Sequence, residues 1–352
     1  MTTFDAALAA VGTLDGDAAR AAAEHHDRLT KPRGSLGRVE GIGVRLAAIA
    51  GASPPPIPAP AAVAVFAGDH GVLDERVTPW PQDVTAQMVQ NFLAGGAAIN
   101  VLARQAGARV IVVDVGVATE LDAAPGLVRQ KVRAGTGNIA REPAMSVAET
   151  RQALDVGASV AARLVDDGAA CLVTGDMGIG NTTPSAALVA AFTGRAASEV
   201  TGRGTGIDDP TLARKVAAVD AALARTSNRD DPMTVLASLG GLEIAALTGF
   251  VVGGAAARIP VVVDGVIAGA ALLTAAQLVP DAVHFCFAGH RSTEPAARVI
   301  LDTLGLEPVL DLELRLGEGT GACLALPMLE AAARILGEMA TFDAAGVTDK
   351  PD

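Results

Sequence analysis

Several residue types on which many proteins depend are scarce in this chain of 352 residues. It contains no tyrosine, one tryptophan and three widely separated cysteines (Cys171, Cys286 and Cys323), with no CxxC pair. An odd number of distant cysteines favours neither a disulfide framework nor a zinc site. All three lie in apolar runs, so we expect buried, unreactive thiols.

Positive charge is also in short supply. The formal net charge is −12, and the windows richest in lysine and arginine, such as RQKVR at 129–133, are short and isolated. Proteins that bind nucleic acid usually carry a basic patch or stripe. The sequence therefore argues against a nucleic-acid partner, and any phosphate that this protein binds is expected to belong to a small molecule.

Long uninterrupted hydrophobic runs are missing, although half of the residues are hydrophobic. Arg258, Pro260 and Asp264 interrupt the most apolar region, 244–279, before 18 apolar residues accumulate. We expect this region to be buried core and not a membrane span. The N-terminal stretch MTTFDAALAAVGTLDGD carries acids early and no basic segment, so no signal peptide is expected. These features predict a cytoplasmic protein without a membrane partner.

Short apolar runs alternate with helical patterns over most of the chain. Runs typical of buried parallel strands lie at 61–68, 108–116, 169–176, 260–265 and 282–289. The segments between them favour helices, for example at 85–106, 147–166, 210–225 and 266–278. Strand followed by helix, repeated, predicts an α/β fold with a mostly parallel sheet covered by helices on both faces.

A proline-rich segment, GASPPPIPAPA at 51–61, marks a predicted domain boundary. Residues 5–50 before it have helical spacing, and helical spacing returns near the C-terminus. We predict a large α/β catalytic domain of residues 56–321 and a small helical domain built from residues 1–55 and 322–352.

Three of the loops that follow the predicted strands suit a phosphate group. They are TGDMGIGNTTPSAAL at 174–188, TGRGTGIDD at 201–209 with Lys215 beyond it, and GHRSTEP at 289–295. Ligands of open parallel sheets bind beyond the carboxyl ends of the strands, where glycine, hydroxyls and free helix amides favour an anion. Each loop also fits an ordinary strand-to-helix turn or a flexible loop, and both interpretations stay open.

Two further loops carry ionisable residues. Asp69 and His70 in GDHGV (68–72) suit metal binding or acid–base chemistry, but also a purely structural loop. LRLGEGTG (314–321) places Glu318 between two glycines, either as a solvated turn or as a carboxylate beside a ligand that approaches the backbone closely.

Four other residues are candidates with less definite roles. Trp80 lies between two prolines and offers a rigid, flat surface, and Gln87 suits a hydrogen bond to a ring edge. Asp264 either contacts a ligand or caps a helix, and the role of Glu294 stays open.

Common catalytic signatures are absent from the sequence: GxxxxGK[ST], GxGxxG, GxSxG and HExxH do not occur. Three loops suited to phosphate and one carboxylate on a glycine turn remain. Together they favour a nucleotide-like substrate with a single base, and transfer chemistry on its phosphorylated sugar.

The motifs FAGDHGV, TGDMGIGNTTPSAAL, TGRGTGIDD, DGVIAGAALLTA, GHRSTEP and LRLGEGTGA, in this order, resemble those of the nicotinate-nucleotide–dimethylbenzimidazole phosphoribosyltransferase family over nearly the whole chain. The resemblance implies transfer of phosphoribose from nicotinate mononucleotide to 5,6-dimethylbenzimidazole, giving α-ribazole 5′-phosphate and nicotinate for the lower-ligand nucleotide of cobalamin. It also implies a large Rossmann-like domain, a small helical domain, a homodimer, and no metal or cofactor.

The resemblance also implies roles for particular residues. Glu318 corresponds to the catalytic base. The implied contacts to the substrate phosphate and ribose are Asp176, Gly178, Gly204, Gly206, Lys215 and Ser292, and some relatives carry Glu at the position of Asp176. The implied contacts to the acceptor base are Thr78, Trp80, Gln87 and Gly317.

Three alternatives remain beside this expectation. The acceptor could be a different azole, a purine or a phenol. A metal-dependent nucleotidase or sugar-phosphate hydrolase could use Asp69 and His70, and a chelator would then abolish its activity. The protein could also bind a nucleotide or azole without catalysis, in which case Glu318→Gln would change affinity alone. A dehydrogenase is disfavoured because no GxGxxG opens the first strand–helix unit.

Overall fold

A six-stranded, fully parallel sheet forms the centre of the computed structural model, which describes residues 1–226 and 228–348. Its strands are β1 (Ala61–Gly68), β2 (Arg109–Gly116), β3 (Leu127–Arg129), β4 (Cys171–Met177), β5 (Val261–Val263) and β6 (Cys286–Ala288). They lie in the order β3-β2-β1-β4-β5-β6. The order reverses between β1 and β4, and in such sheets this point forms a ligand-binding crevice at the carboxyl ends of the strands.

Helices occupy most of the remaining chain. They are α1 (Thr3–Ala10), α2 (Gly16–Arg28), α3 (Arg38–Ala50), α4 (Asp83–Leu93), α5 (Ala98–Gln105), α6 (Val147–Asp166), α7 (Thr182–Thr193), α8 (Ala197–Val200), α9 (Asp209–Arg225), α10 (Pro232–Leu239), α11 (Leu242–Ala256), α12 (Val266–Leu278), α13 (Pro295–Leu304), α14 (Thr320–Glu338) and α15 (Phe342–Ala345). Within the described ranges, short 3-10 helices span Gly71–Glu75 and Pro280–Phe285.

Strand β1 shows why the sheet is covered on both faces. All eight of its residues are buried, and successive side chains point to opposite sides. Phe66 joins the core cluster that contains α6, α7, α11 and α12, whereas Val63 and Val65 join the cluster that contains α3, α5 and α14. A strand buried on both faces must be apolar throughout, and this is the pattern of the sequence AAVAVFAG.

Helix α14 connects the terminal helices to the sheet. It packs against α2 and α3 and also contacts α5, β4 and β5, whereas α1 lies on α6 and α11. Within the described ranges α14 is the only helix with the length and hydropathy to cross a bilayer, and 56% of its apolar stretch is buried. It is thus a core helix. The boundary between a large and a small domain stays a prediction.

The α/β fold with a parallel sheet and helices on both faces is confirmed. Strand β1 has the predicted limits, whereas the strand predicted at 282–289 shrinks to β6 because Pro280 opens a 3-10 turn. Strand β3 was not predicted, since it has three residues and is partly exposed at the sheet edge. The three cysteines are free and buried, as expected.

Candidate active site

The crevice beyond β1 and β4 opens into a cavity of about 420 Å³. Its walls come from the loops after β4, β5 and β6, from the segment that leads into α4, and from two glycine-rich segments, 203–207 and 315–318. Small-molecule sites in proteins typically have volumes of about 300–1,000 Å³. The cavity therefore has the position and the size of a small-molecule site.

The turn that carries Glu318 has an unusual backbone. Gly317, Glu318 and Gly319 all have positive φ, at 85°, 65° and 94°. A Cβ on Gly319 would lie 2.8 Å from the carbonyl oxygen of Thr174, and one on Gly175 would lie 2.6 Å from the carbonyl oxygen of Glu318. Glycine is required at positions 175 and 319 because the turn lies directly against β4. It is also favoured at 317 and 319 because a side chain is strained at these positive φ values.

The Glu318 side chain is buried at the cavity wall, with 6% of its surface exposed. Its Oε2 accepts a hydrogen bond from the backbone N–H of Ile99 in the first turn of α5 (3.3 Å). Among the described residues, none donates a hydrogen bond to Oε1. Burial is the main cause that raises the pKa of Glu318, the Ile99 hydrogen bond opposes it, and the charge of Asp264 adds to it. The result is a carboxylate of increased basicity with one uncommitted oxygen.

Asp176, the penultimate residue of strand β4, lies beside this turn. Asn181 donates a hydrogen bond to its Oδ2 (3.0 Å), and a Cβ on Gly317 would lie 3.3 Å from the same oxygen. Burial, followed by the charge of Asp264, raises the pKa of Asp176 to about 8. The Asp176 carboxyl group is therefore mostly protonated near neutral pH, and it can donate a hydrogen bond where Glu318 can only accept one.

Lys215, Thr182 and Gly204 lie together in the cavity lining, in a region called here the Lys215 end, whereas the turn of Glu318 defines the Glu318 end. It projects from α9, is buried, and donates from Nζ to Thr182 Oγ1 (2.8 Å) and to the Gly202 carbonyl (2.9 Å). Burial lowers the pKa of Lys215 to about 8, so the ammonium is still mostly charged at neutral pH. Thr182 begins α7, whose N-terminal amides favour an anion at the same place. An ammonium has three donors, which leaves one for a ligand.

The Gly204 peptide links the loops around this end. Its N–H donates to Glu294 Oε1 (2.8 Å), and its carbonyl accepts from Arg315 Nη1 (2.7 Å). Ser292 Oγ accepts from the Glu294 N–H (3.4 Å). These contacts hold the loop after β6, the 203–207 segment and the Glu318 turn together around the cavity.

Apolar side chains form the remaining wall. Val77, Val84, Met88 and Leu316 line it together with Trp80, which is half exposed. The Trp80 backbone is held by a hydrogen bond from its N–H to Thr78 Oγ1 (3.3 Å). An indole and aliphatic side chains around a slot suit a flat aromatic ligand.

Most of the residues predicted from the sequence meet at this cavity. Its lining includes Thr78, Trp80, Asp176, Gly178, Gly204, Lys215, Ser292, Gly317 and Glu318. Gln87 is exposed on α4, and neither it nor Gly206 is among the lining residues. The roles predicted for all these residues stay predictions.

The sequence assigned no role to Met88, His290 or Arg315, and it named Asn181 and Thr182 only as part of a motif suited to phosphate; all five line the cavity. Asn181 and Thr182 fall within a motif that is recognisably suited to phosphate. Arg315 directly precedes the glycine turn and was detectable as a neighbouring cation. Met88 gave no signal, because the face of α4 that meets the cavity is set by packing against the core.

Asp69 and His70 lie beneath the cavity and do not line it. His70 Nε2 is 2.8 Å from Glu243 Oε1, and both side chains are buried. Burial acts to lower the pKa of His70, but Glu243 and Asp69 outweigh it and leave this pKa above its ordinary value. Asp69 Oδ2 accepts the N–H of Ala118 (2.8 Å). Both residues are therefore engaged in internal contacts below the cavity floor.

The fold and the cavity define a class of protein. Its cavity at the carboxyl ends of the strands is lined by a buried lysine, the N-terminus of α7, a tryptophan and a buried carboxylate. These features are typical of α/β enzymes that act on phosphorylated sugars carrying a flat base.

Comparison with known proteins agrees with this class. A family model described as phosphoribosyltransferase matches residues 11–347. A relative from Salinispora tropica, named nicotinate-nucleotide–dimethylbenzimidazole phosphoribosyltransferase, is 56% identical over 97% of this chain and 98% of its own. One of the same name from Chloroflexus aurantiacus is 55% identical over 97% of both chains.

A solved structure extends the likeness to three dimensions. The crystal structure of the phosphoribosyltransferase of this name from Thermus thermophilus matches with a TM-score of 0.92 and 47% identity, covering 96% of this chain and all of that one. The chain belongs to the nicotinate-nucleotide–dimethylbenzimidazole phosphoribosyltransferase family, and the resemblance inferred from its motifs is confirmed.

Proposed function

We propose that this protein transfers the phosphoribosyl group of nicotinate mononucleotide to 5,6-dimethylbenzimidazole, forming α-ribazole 5′-phosphate and nicotinate in the assembly of the cobalamin nucleotide. The names of its relatives support this pair of substrates. One observation carries the proposal: Glu318, which has a free carboxylate oxygen, lines the same cavity as Lys215, which lies beside the N-terminus of α7.

The 5′-phosphate binds at the Lys215 end. Its oxygens accept hydrogen bonds from the free Lys215 donor, from backbone amides around Gly178, from amides of the 203–207 segment other than that of Gly204, which Glu294 accepts, and from the Ser292 hydroxyl. The phosphate also raises the pKa of Lys215, because an adjacent anion favours the charged ammonium. Fixing the phosphate holds the sugar still, and positioning of this kind supplies much of the rate in two-substrate reactions.

Dimethylbenzimidazole binds in the slot beside Trp80, with one ring nitrogen towards C1′ of the ribose and the other towards Glu318. The first nitrogen attacks C1′ as the C1′–N bond to the pyridinium breaks, and the bonding electron pair leaves with nicotinate. The leaving ring therefore departs without a positive charge on its nitrogen and needs no acid. Attack on the face opposite nicotinate inverts C1′ and gives the α configuration.

Glu318 acts as the general base. Positive charge develops on the attacking ring, and the carboxylate removes the proton from the second ring nitrogen. General-base catalysis of this kind contributes about 10²–10⁴-fold to rate. The glycines on either side leave room for a flat ring against the turn, as expected for a carboxylate beside a ligand that approaches the backbone closely.

Asp176 contributes a neutral carboxyl group beside the ribose. Because burial keeps it protonated near neutral pH, it adds no second negative charge next to Glu318. Its proton is free to donate to a ribose oxygen. Burial thus keeps a proton on Asp176, and this proton makes the carboxyl group a donor to the sugar instead of a base.

The proposal extends to assembly and location. Trp80, Leu312 and Leu316 are exposed hydrophobic side chains. Trp80 and Leu316 line the cavity, and Leu312 lies outside it, four residues before Leu316. A second copy of the chain packed over them would remove this surface from water, so we expect a homodimer. The free buried thiols suit the reducing cytoplasm. Light scattering of the purified protein, reporting one or two chain masses, tests the assembly.

The reaction is tested with purified protein, nicotinate mononucleotide and dimethylbenzimidazole. Chromatography follows nicotinate and the ribazole phosphate, and NMR of the product assigns the configuration at C1′. The proposal predicts equimolar nicotinate and α-ribazole 5′-phosphate. Release of nicotinate with free ribose phosphate would identify a hydrolase. Quenching of Trp80 fluorescence by both ligands without any product would identify a binding protein.

A further inference from the structure

Asp264 is a buried carboxylate for which the proposed reaction has no use. It follows β5 and is 4% exposed. Its Oδ2 accepts the N–H of Gly319 (3.2 Å), and its Oδ1 accepts the N–H of Ala322 (3.0 Å). Its own N–H donates to Thr174 Oγ1 on β4 (3.0 Å). One residue thereby joins β5, β4 and the first turn of α14.

The turn that Asp264 holds is the one that carries Glu318. Three consecutive positive φ values, one of them at a non-glycine residue, make this backbone intrinsically unfavourable. Such a turn persists only where its surroundings fix it. The Thr174–Gly175 backbone of β4 packs against one side of it, and Asp264 binds the amide that follows Glu318.

His290 backs this carboxylate. Its Nε2 lies 3.5 Å from Asp264 Oδ1, and within the described ranges neither ring nitrogen has a hydrogen-bond partner. The ring is buried against the first turn of α14, because a Cβ on Gly321 would lie 1.9 Å from its Cδ2. His290 therefore keeps water from Asp264 and limits its movement.

Electrostatics point to the same coupling. The titratable groups that face Asp264 are Asp176 on β4, Glu318 on the turn, His290 after β6 and Cys323 on α14. After burial, the negative charge of Asp264 contributes to raising the pKa of Glu318. Removing that charge weakens the base, in addition to loosening the turn.

We propose that Asp264, supported by His290, is a positioning residue that holds the Gly317–Gly319 turn so that Glu318 faces the substrate. The role rests on the proposed function of Glu318. Asp264 touches no reacting atom and acts through the catalytic glutamate. This role differs from that of a carboxylate that binds the sugar, which would change KM, and from that of one that only stabilises the fold, which would change Tm alone.

The test is Asp264→Asn, in which an amide NH₂ group replaces one of the two acceptors. We expect kcat to fall about 10- to 100-fold, the range associated with displacement of a catalytic group, with the KM for nicotinate mononucleotide nearly unchanged. We also expect the acid limb of kcat/KM to move to lower pH, because Glu318 loses a negative neighbour, and the alkaline limb to move the same way, because Asp176 loses that neighbour too.

A double-mutant cycle separates positioning from general stability. If Asp264 acts through Glu318, Asp264→Asn should slow the Glu318→Gln enzyme less than about twofold. The matched control is Asp114→Asn, since Asp114 is also buried at the carboxyl end of a strand and accepts a backbone N–H, from Val117 (3.0 Å). Its loss should lower thermal stability without moving the acid limb.

Unchanged kcat and pH profile in Asp264→Asn would overturn the positioning role, and so would equal losses with and without Glu318. Should Asp264→Asn not fold, His290→Gln carries the same cycle, with a kcat loss of at least about threefold expected only when Glu318 is present. Inactivity of the wild-type enzyme would instead refute the proposed function.

Discussion

The two ends of the cavity are prepared for their ligands in different ways. At the Lys215 end, polar groups satisfy one another: the ammonium bonds Thr182 and Gly202, and Glu294 bonds Gly204. At the Glu318 end, one oxygen of the Glu318 carboxylate has no donor among the described residues, although Asn181 donates to the neighbouring Asp176. The slot beside Trp80 is lined by Val77, Val84, Met88 and Leu316. A preformed network of polar groups suits ligand binding, whereas a carboxylate with a free oxygen beside an apolar slot suits proton transfer.

This difference predicts a division of kinetic effects. Substitutions at the Lys215 end should mainly weaken binding of nicotinate mononucleotide, and substitutions at the glycine turn should mainly lower kcat. The two kinds of effect report on ground-state binding and on transition-state stabilisation respectively.

The largest effect on binding is expected for Lys215→Met, which retains the length of the side chain and removes its charge. Loss of a buried ionic contact to phosphate should lower kcat/KM for nicotinate mononucleotide about 10²–10³-fold, mostly through KM. The matched control is Lys131→Met, because Lys131 pairs with Asp114 and Glu120 outside the cavity. A loss confined to kcat would contradict the division between the two ends.

Gly319→Ala should act at the other end. The new methyl group would lie 2.8 Å from the Thr174 carbonyl at a φ of +94°, so the turn must shift and carry Glu318 with it. We expect kcat to fall at least about tenfold, with little change in the KM for nicotinate mononucleotide. Gly305→Ala is the control, since it has a φ of +63° in open space at the end of α13. Steady-state kinetics of both variants show whether displacement of the turn or backbone strain at positive φ lowers kcat. An equal loss in Gly305→Ala would contradict displacement of the turn as the cause.

The pH dependence of kcat/KM should report both ends at once. On the acid side activity requires ionised Glu318, whose pKa burial raises above its ordinary value, so the acid limb should lie above the usual glutamate range. On the alkaline side activity should fall through about pH 8, because Lys215 loses its charge and Asp176 gains one there. A profile that stays flat through this alkaline region would contradict the charged-lysine role.

The smallest effect concerns the terminal helices, far from the chemistry. His26 on α2 is buried without a partner for either ring nitrogen among the described residues. Burial is the main cause that lowers its pKa from 6.5. Since the unfolded chain binds the proton more readily, stability is complete above pH 6.5 and declines as the pH falls below it. His26→Gln should flatten this decline, measured as Tm against pH, whereas His25→Gln, at a less buried neighbour, should not.

The sequence predicted which loops meet at the cavity better than it predicted the distant side chains that hold those loops in place. Short-range patterns fix where a strand ends in glycine and where a helix begins, and these positions converge at the carboxyl edge of a parallel sheet. The side-chain contacts of Asp264 with the first turn of α14, 55 and 58 residues further along the chain, depend on tertiary packing. No local pattern distinguishes such a residue from a cap of the following helix.

The exposed position of Gln87 illustrates the same limit. Its motif suggested a contact to the acceptor base, but on α4 it lies three residues from Val84 and next to Met88, both of which line the slot. On a helix, adjacent residues point about 100° apart, so membership of a helix does not determine which side chain meets the ligand. The rotation of α4 is set by burial of Val89 and Phe92 in the core.

The most direct test of the general-base assignment compares Glu318→Gln with Glu313→Gln. Glu313 lies five residues earlier in the chain, also has positive φ (57°), and is exposed outside the cavity. Measurement of kcat and of nicotinate mononucleotide binding for both variants should show a loss of at least about 10²-fold in kcat for Glu318→Gln alone, with binding retained. Wild-type turnover in Glu318→Gln would contradict the assignment of Glu318 as the base.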